Sequence, residues 1–361
     1  MGIISSMKYF QPFLLLLLVS CSQLSYLTEQ GFSQLKLQWK GVENEKVLAD
    51  PNVDAEIKRK ITLIQEYKKF FYKYFDKKET GIYSKTSILD QEAVTYLLIA
   101  SPKTKIESHK FSFPFFGEFP YIGFFNKASA INYSKRLEKK GFSVYLRPVY
   151  AYSTLGYFED RILSSFFYYS DLDLAELIFH ELFHTIFFIK NDVDLNENLA
   201  NYFGKELVRI YFKNDPRLEE YEKSLGHDKL VSQKIVDMIH ILQDEFEKLS
   251  THLTDEKADE ITQNFVNEIF LPQLRLFCDE RGISRRDCMS ESSWNQARFA
   301  AFLTYEEEQD LISDLQKQLK LSFDDFYQWL IDEYKVFKKE KADSFTEYLR
   351  AKVKNETHSS D

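Results

Sequence analysis

The segment Leu174–Gly204, LAELIFHELFHTIFFIKNDVDLNENLANYFG, constrains this chain more than any other. Its first half is apolar enough for a helix buried on most sides, yet it carries His180, Glu181 and His184. Burying two imidazoles and a carboxylate is costly unless something satisfies them. On an α-helix, residues i and i+4 share a face, so His180 and His184 can both reach one ion at about 2.0–2.1 Å. Glu181 lies one position along, where it suits a general base better than a third ligand from the same turn. The pattern therefore predicts a helix built around one zinc ion. A buried histidine pair bonded to main-chain carbonyls is the competing reading, and it explains Glu181 poorly.

A catalytic zinc takes three protein ligands and keeps a fourth position open. A further histidine two turns on would need a glycine at 187 and a histidine at 190, but the chain has Phe187 and Lys190 there. The better third ligand is Glu197, thirteen residues past His184, on a second helix reached through the polar turn 189–196. Taken alone, Glu197 would read as a helix-start carboxylate capped by Asn196. Metal-bound histidines usually donate their other N–H to a neighbouring acceptor. Asn201, four past Glu197, and Glu176, four before His180, are the candidates, and both could equally be surface residues.

The rest of the chain sets the fold class. Phe (33) and Tyr (22) are abundant among 361 residues, while Gly (11) and Pro (8) are scarce, which predicts an α+β, mainly helical protein. Residues 23–78 read as helical, with ITLIQEYKKFFYKYF placing apolar side chains three and four apart. AVTYLLIAS, PYIGFF and FSVYLRPVYAYSTLG are β-branched, aromatic and bounded by Pro or Gly, so a small sheet is expected over 93–156. A helix closed by Gly141 should lie between the last two. From Asp171 helix is expected almost throughout, with motif helices over 171–211, a helical body over 215–354 and a disordered tail over 355–361. The net charge of −9 and the lack of a basic run argue against nucleic-acid binding.

Residues 13–20, FLLLLLVS, are too short to span a bilayer and suit the core of a signal peptide over 1–20. Leu-Val-Ser-Cys at 18–21 resembles a bacterial lipobox, which implies cleavage before Cys21 and an acyl anchor on its thiol. An ordinary secreted protein with an incidental cysteine is the alternative. With Cys21 set aside, Cys278 and Cys288 remain, free to bridge in an envelope compartment or to stay as two thiols.

HExxH followed by Asn196-Glu197-x-x-Ala200 resembles the gluzincin metallopeptidases, with a shorter spacer than thermolysin has. The longer resemblance is to a family of bacterial lipoproteins described as predicted aminopeptidases. It rests on Phe113-Pro114, Gly117, Pro120-Tyr121, Gly123 and Phe125, on Ala151–Phe158 with Asp160, on Ile178–His184, and on Ser292–Tyr305. The resemblance implies a zincin-like domain over 93–354 following a helical segment over 21–92. It implies that AYSTLG, through Ser153, Thr154, Leu155 and Gly156, pairs with an extended peptide substrate. It also favours Tyr305 and Arg298 as donors to the tetrahedral oxyanion, with His240 and His252 as rivals. Where family members carry a cysteine pair, this chain has Ser112 and Glu118. Aminopeptidases of the gluzincin type hold the substrate ammonium with glutamates near the substrate strand. AYSTLG has none, leaving Glu118 and Glu159 as stand-ins and no ground for exo- over endo-cleavage.

The resulting expectation is a zinc-dependent peptide-bond hydrolase tethered to the cell envelope, acting on peptides with Glu181 as base. The rival is an envelope binding or scaffold lipoprotein with a structural or vestigial metal site. A metal-dependent hydrolase of a non-peptide substrate is a third. Nothing in the sequence sets the oligomeric state.

Overall fold

The computed structural model describes residues 26–358, apart from 34, 37, 38, 40, 114–116, 151–159, 190, 191, 250, 251, 307–310 and 341–343. Cys21, the strand residues Ser153–Gly156 and Glu159 lie outside the described residues. The protein is mainly helical with small sheets, the α+β class that the composition predicts.

The first helical stretch is more broken than its periodicity suggests. After α1 (residues 26–33) come β1 (Val42–Glu43), α2 (Asn44–Ala49) and α3 (Ala55–Tyr74). Pro51 lacks an N–H to continue α2, and Asp54 restarts the helix by accepting from Glu56 N at 2.8 Å. β1 pairs antiparallel with β2 (Lys85–Ser87), and β2 runs parallel to β8 (Ile162–Leu163).

The predicted sheet forms as three antiparallel strands in the order β6-β3-β7. β3 is Thr95–Pro102, β6 Ile122–Phe124 and β7 Phe142–Val149. β7 is an edge strand in this order, which is where Pro148 can sit without breaking a ladder. The helix expected before it is α4 (Lys127–Glu138), capped by Asn126, and Gly141 takes φ +87° where the chain turns out of it. β4 (Phe111–Phe113) and β5 (Gly117–Phe119) form a separate hairpin. Its register sets Ser112 opposite Glu118, and Ser112 Oγ donates to Glu118 Oε1 at 2.9 Å. The two positions where the resemblance places a cysteine pair are thus cross-strand neighbours joined by a hydrogen bond.

Helices account for the remainder. α5 (Asp171–Ile186) and α6 (Val193–Tyr211) pack against each other, and α5 packs against α3. α7 (Arg217–Lys248), α8 (Asp255–Asn264) and α9 (Leu271–Asp279) follow. A π-helical turn, Phe265–Phe270, joins the last two just before Pro272, whose ring disturbs the preceding ladder. α10 (Gln296–Glu306), α11 (Leu311–Leu319), α12 (Phe323–Glu340) and α13 (Phe345–His358) complete the chain. The last helix runs past residue 355, where a frayed tail is expected, because no Gly or Pro interrupts it.

One core joins α3, α5 and α6 to the C-terminal helices. Phe183 stacks on Phe203 at 4.3 Å, and Phe203 on Phe326 at 6.2 Å. Each fully buried Phe contributes about 1.5–3 kcal/mol. The face of α5 that carries Phe179 and Phe183 is therefore fixed inward, which turns its other face toward solvent. A second core gathers α7 to α10 and the Cys278–Cys288 bridge, whose sulfurs are bonded.

Candidate metal centre and its cleft

α5 begins as its sequence dictates. Ser170 caps it, accepting from Asp173 N at 3.2 Å and donating to Asp173 Oδ2 at 2.7 Å. Asp171 and Asp173 stand in the first turn, where the helix dipole favours negative charge. Asp171 also accepts from Lys60 Nζ at 2.8 Å, Arg59 Nη2 at 2.9 Å and Arg217 Nη1 at 3.0 Å. The Arg59 hydrogen bond, with those from Lys60 and Arg217, holds its carboxyl well below the usual range against the opposing effect of burial. This cluster ties the start of α5 to α3 and α7.

α6 returns along α5 after the short connection from Ile186 to Val193. Its clip is Asn196, 2% exposed, which accepts from Ile189 N at 2.8 Å and donates to Ile189 O and Asp192 O, both at 2.7 Å. The helix cap expected at Asn196 belongs instead to Asp192, which accepts from Leu195 N at 3.3 Å. Asn196 sits one turn too late to cap and satisfies the buried turn instead. Farther along α6, Gly204 lets the two helices close up. A Cβ there would meet Glu176 O at 3.2 Å and His180 N at 3.3 Å.

This geometry brings His180, His184 and Glu197 together, with one ligand atom from each within 4.8 Å of the others, a group that could hold a metal ion. Glu197 Oε2 is 3.3 Å from His180 Nε2, Glu197 Oε1 is 3.5 Å from His184 Nε2, and the two Nε2 atoms are 3.3 Å apart. His180 Nδ1 donates to Asn201 Oδ1 at 2.9 Å, which keeps the proton on Nδ1 and leaves Nε2 a lone pair. Burial opposes the charged form of His180, but the Glu197 hydrogen bond and the nearby Glu181 and Glu197 charges outweigh it and raise its pKa. Burial, helped by the neighbouring His180, pushes His184 down to about 4. Glu197 is lowered, since the His180 hydrogen bond and both imidazoles outweigh its burial. Two imidazole nitrogens and a carboxylate that converge in this way form a set that a divalent cation can satisfy. The residues present fit the metal.

Glu181 is 8% exposed and stays outside the ligand set, lining a cleft of about 930 Å³ beside it together with His180 and Asn201. A neighbouring recess of about 630 Å³ shares Asp173, Glu176 and Asn201 with the cleft. Of the two predicted acceptors for His180, Asn201 makes the contact. Glu176 Oε2 instead accepts from Tyr221 Oη on α7, and burial raises its pKa.

Of the predicted oxyanion donors, Arg298 is placed elsewhere. Arg298 donates to Ser293 O at 2.8 Å and lies over the rings of Trp294 and Tyr145, at 4.3 and 5.2 Å. Its block locks α10 onto the sheet, with Ser143 Oγ donating to Gln296 Oε1 at 2.7 Å and Asn295 Nδ2 to Val144 O at 2.9 Å. It is absent from the described lining of the cleft, as are His240 and His252, which are exposed. Tyr305 lies in α10, with its side chain outside the described residues. Glu118 is likewise absent from the described lining; the carboxylates there besides Glu181 are Glu92, Asp173 and Glu176. Sequence spacing alone could have flagged Asp173 and Glu176, which fall seven and four residues before His180 on its helical face, but not Glu92.

Neither the curated proteins nor the solved structures provide a match to this chain. A family model described as "Putative aminopeptidase" matches residues 25–345, nearly the whole described body and the entire cleft. With its sheet, its motif helices and its helices through α12 inside that match, the chain belongs to the "Putative aminopeptidase" family.

Proposed function

We propose that this chain is a zinc-dependent aminopeptidase, held at the bacterial cell envelope by a lipid on Cys21. The observation that carries the reading is the convergence of His180, His184 and Glu197, with His180 and Glu181 lining the adjoining cleft. A family of peptidases and the chemistry of this donor set point the same way.

His180, His184 and Glu197 would hold a zinc ion, which would supply Lewis acidity at the scissile carbonyl and lower the pKa of a bound water to about 7. Glu181 takes a proton from the attacking water and carries it to the leaving amine as the C–N bond breaks. His180 keeps its orientation through Asn201, so its lone pair stays directed at the ligand position. Cleavage from the N-terminus requires the substrate ammonium to be held at a set distance from the scissile bond. Glu92, Asp173 and Glu176 line the same cleft and supply negative charge for that purpose.

Among the described residues no helix is long and apolar enough to cross a membrane. The anchor therefore rests on Cys21, and a Cys21→Ser chain should lose incorporation of labelled fatty acid. The test of the chemistry is the full chain in detergent, loaded with zinc and given a mixed peptide library, with Glu181→Gln in parallel. Loss of single N-terminal residues only when Glu181 is present is the expected result. Internal cuts would overturn the exo-cleavage, and no Glu181-dependent product with zinc bound would leave a binding protein.

A further inference from the structure

Arg286 lines the cleft that contains His180 and Glu181, and it is the one Lys or Arg among the described lining residues. Among the described residues its guanidinium has no hydrogen bond or ion pair, in contrast to Arg298, Arg209 and Arg217, which are all engaged.

The loop that presents it is held from several sides. The Cys278–Cys288 bridge closes it, and Ser284 Oγ donates to Asp287 Oδ2 at 2.6 Å while accepting from Asp287 N at 3.2 Å. Cys288 N donates to Ser284 O at 2.8 Å, and Met289 N donates to the carbonyl of Arg286 itself at 3.0 Å. Ile283 is buried at the loop's base, and Arg275 Nη2 donates to Ser290 O at 3.2 Å just beyond it. An exposed arginine on a loose loop would be ordinary surface. Here main-chain bonds, a disulfide and an apolar anchor keep the loop at the rim, and only the guanidinium is left uncommitted.

We propose that Arg286 binds a substrate carboxylate, which makes short peptides with a free C-terminus the preferred substrates. This rests on the aminopeptidase reading of the same cleft. A guanidinium presents two parallel N–H donors that match a carboxylate, and such charge-assisted pairs are stronger than neutral ones. The other charged side chains of the cleft wall, Glu92, Asp173, Glu176 and Glu181, are acidic. A cleft whose described lining holds several carboxylates and a single guanidinium complements a zwitterion, with its ammonium toward the carboxylates and its carboxylate toward Arg286. A long polypeptide would offer Arg286 only neutral carbonyls in most registers and gain little from it.

The test is a competition. The zinc-loaded full chain receives a tripeptide library in two forms, free acids and C-terminal amides, and products are followed by mass spectrometry. The wild type should favour acids over amides by about tenfold, the size of one charge-assisted contact. Arg286→Gln should abolish that ratio by slowing the acids about tenfold more than the amides, and Arg286→Lys should retain part of it. A merely structural role would slow acids and amides alike, which would overturn the proposal. So would a wild type without acid preference, or one whose preference survives in Arg286→Gln. Absence of any Glu181-dependent product would overturn the aminopeptidase reading itself, and this proposal with it.

Discussion

Asn196→Ala isolates the device that holds α6, with Glu197, against the end of α5, with His180 and His184. The side chain is buried and makes three hydrogen bonds to the turn, two of them to the N–H and C=O of Ile189. Ile189 is itself 2% exposed, so water cannot replace what is lost. Each buried group left without a partner costs about 1–3 kcal/mol. Asp192 O still accepts from Asn196 N at 3.2 Å, so its loss is partial. The expected destabilisation is about 3 kcal/mol, near the upper end for a single substitution. Because Glu197 is the next residue, zinc affinity should fall as well. Urea unfolding in the presence of chelator gives the stability change, from the shift in midpoint at unchanged slope. Zinc affinity is read separately by competition with a chromophoric chelator. Asn52→Ala is the matched control, since Asn52 is exposed and bonds only within its own turn, and it should lie within about 0.5 kcal/mol of wild type. A loss in Asn196→Ala no larger than in that control would refute the clip.

Two further perturbations act on the same helix. Gly204→Ala should cost up to about 2 kcal/mol of stability, since about 1 kcal/mol of helix propensity offsets part of an overpacking cost of about 1–3 kcal/mol. Its Cβ would press on the backbone of α5 at Glu176 and His180, so zinc affinity should drop about tenfold; a variant that binds zinc normally would show that the close approach is incidental. Asp171→Asn probes the acid dependence of the zinc-free chain. The Arg59, Lys60 and Arg217 hydrogen bonds depress the folded pKa of Asp171, so its stabilising contribution is complete above the unfolded value of about 3.9 and shrinks as pH falls below it toward the folded value. The gap between wild type and Asp171→Asn, followed as urea midpoints from pH 6 to 3, should narrow below about pH 4, and a gap that widens there would have the wrong sign.

The parts of this protein that were legible in its sequence share one property: their partners lie within a few residues. His180, Glu181 and His184 are placed by one helical turn, Gly141 ends α4, and the β-branched and aromatic runs at 95–102 and 142–149 mark two strands. Glu197 was within reach because a short polar turn leaves few ways to return the chain. The failures come from contacts at longer range. Arg298 and the residues around it look catalytic when read as a motif, yet what they meet is β7, some 150 residues earlier in the chain. Asn196 looks like a cap because caps are local, while its actual partners are the buried carbonyl and amide of a turn whose burial depends on the C-terminal helices. Arg286 carries no local signal at all. Its place at the cleft rim is set by a disulfide and by how the α7–α10 core sits beside α5, and neither is encoded in spacing. A motif thus specifies the reacting centre of such a protein far better than it specifies the wall that chooses the substrate, because ligands must converge along one helix while specificity is assembled from whatever the tertiary fold brings alongside.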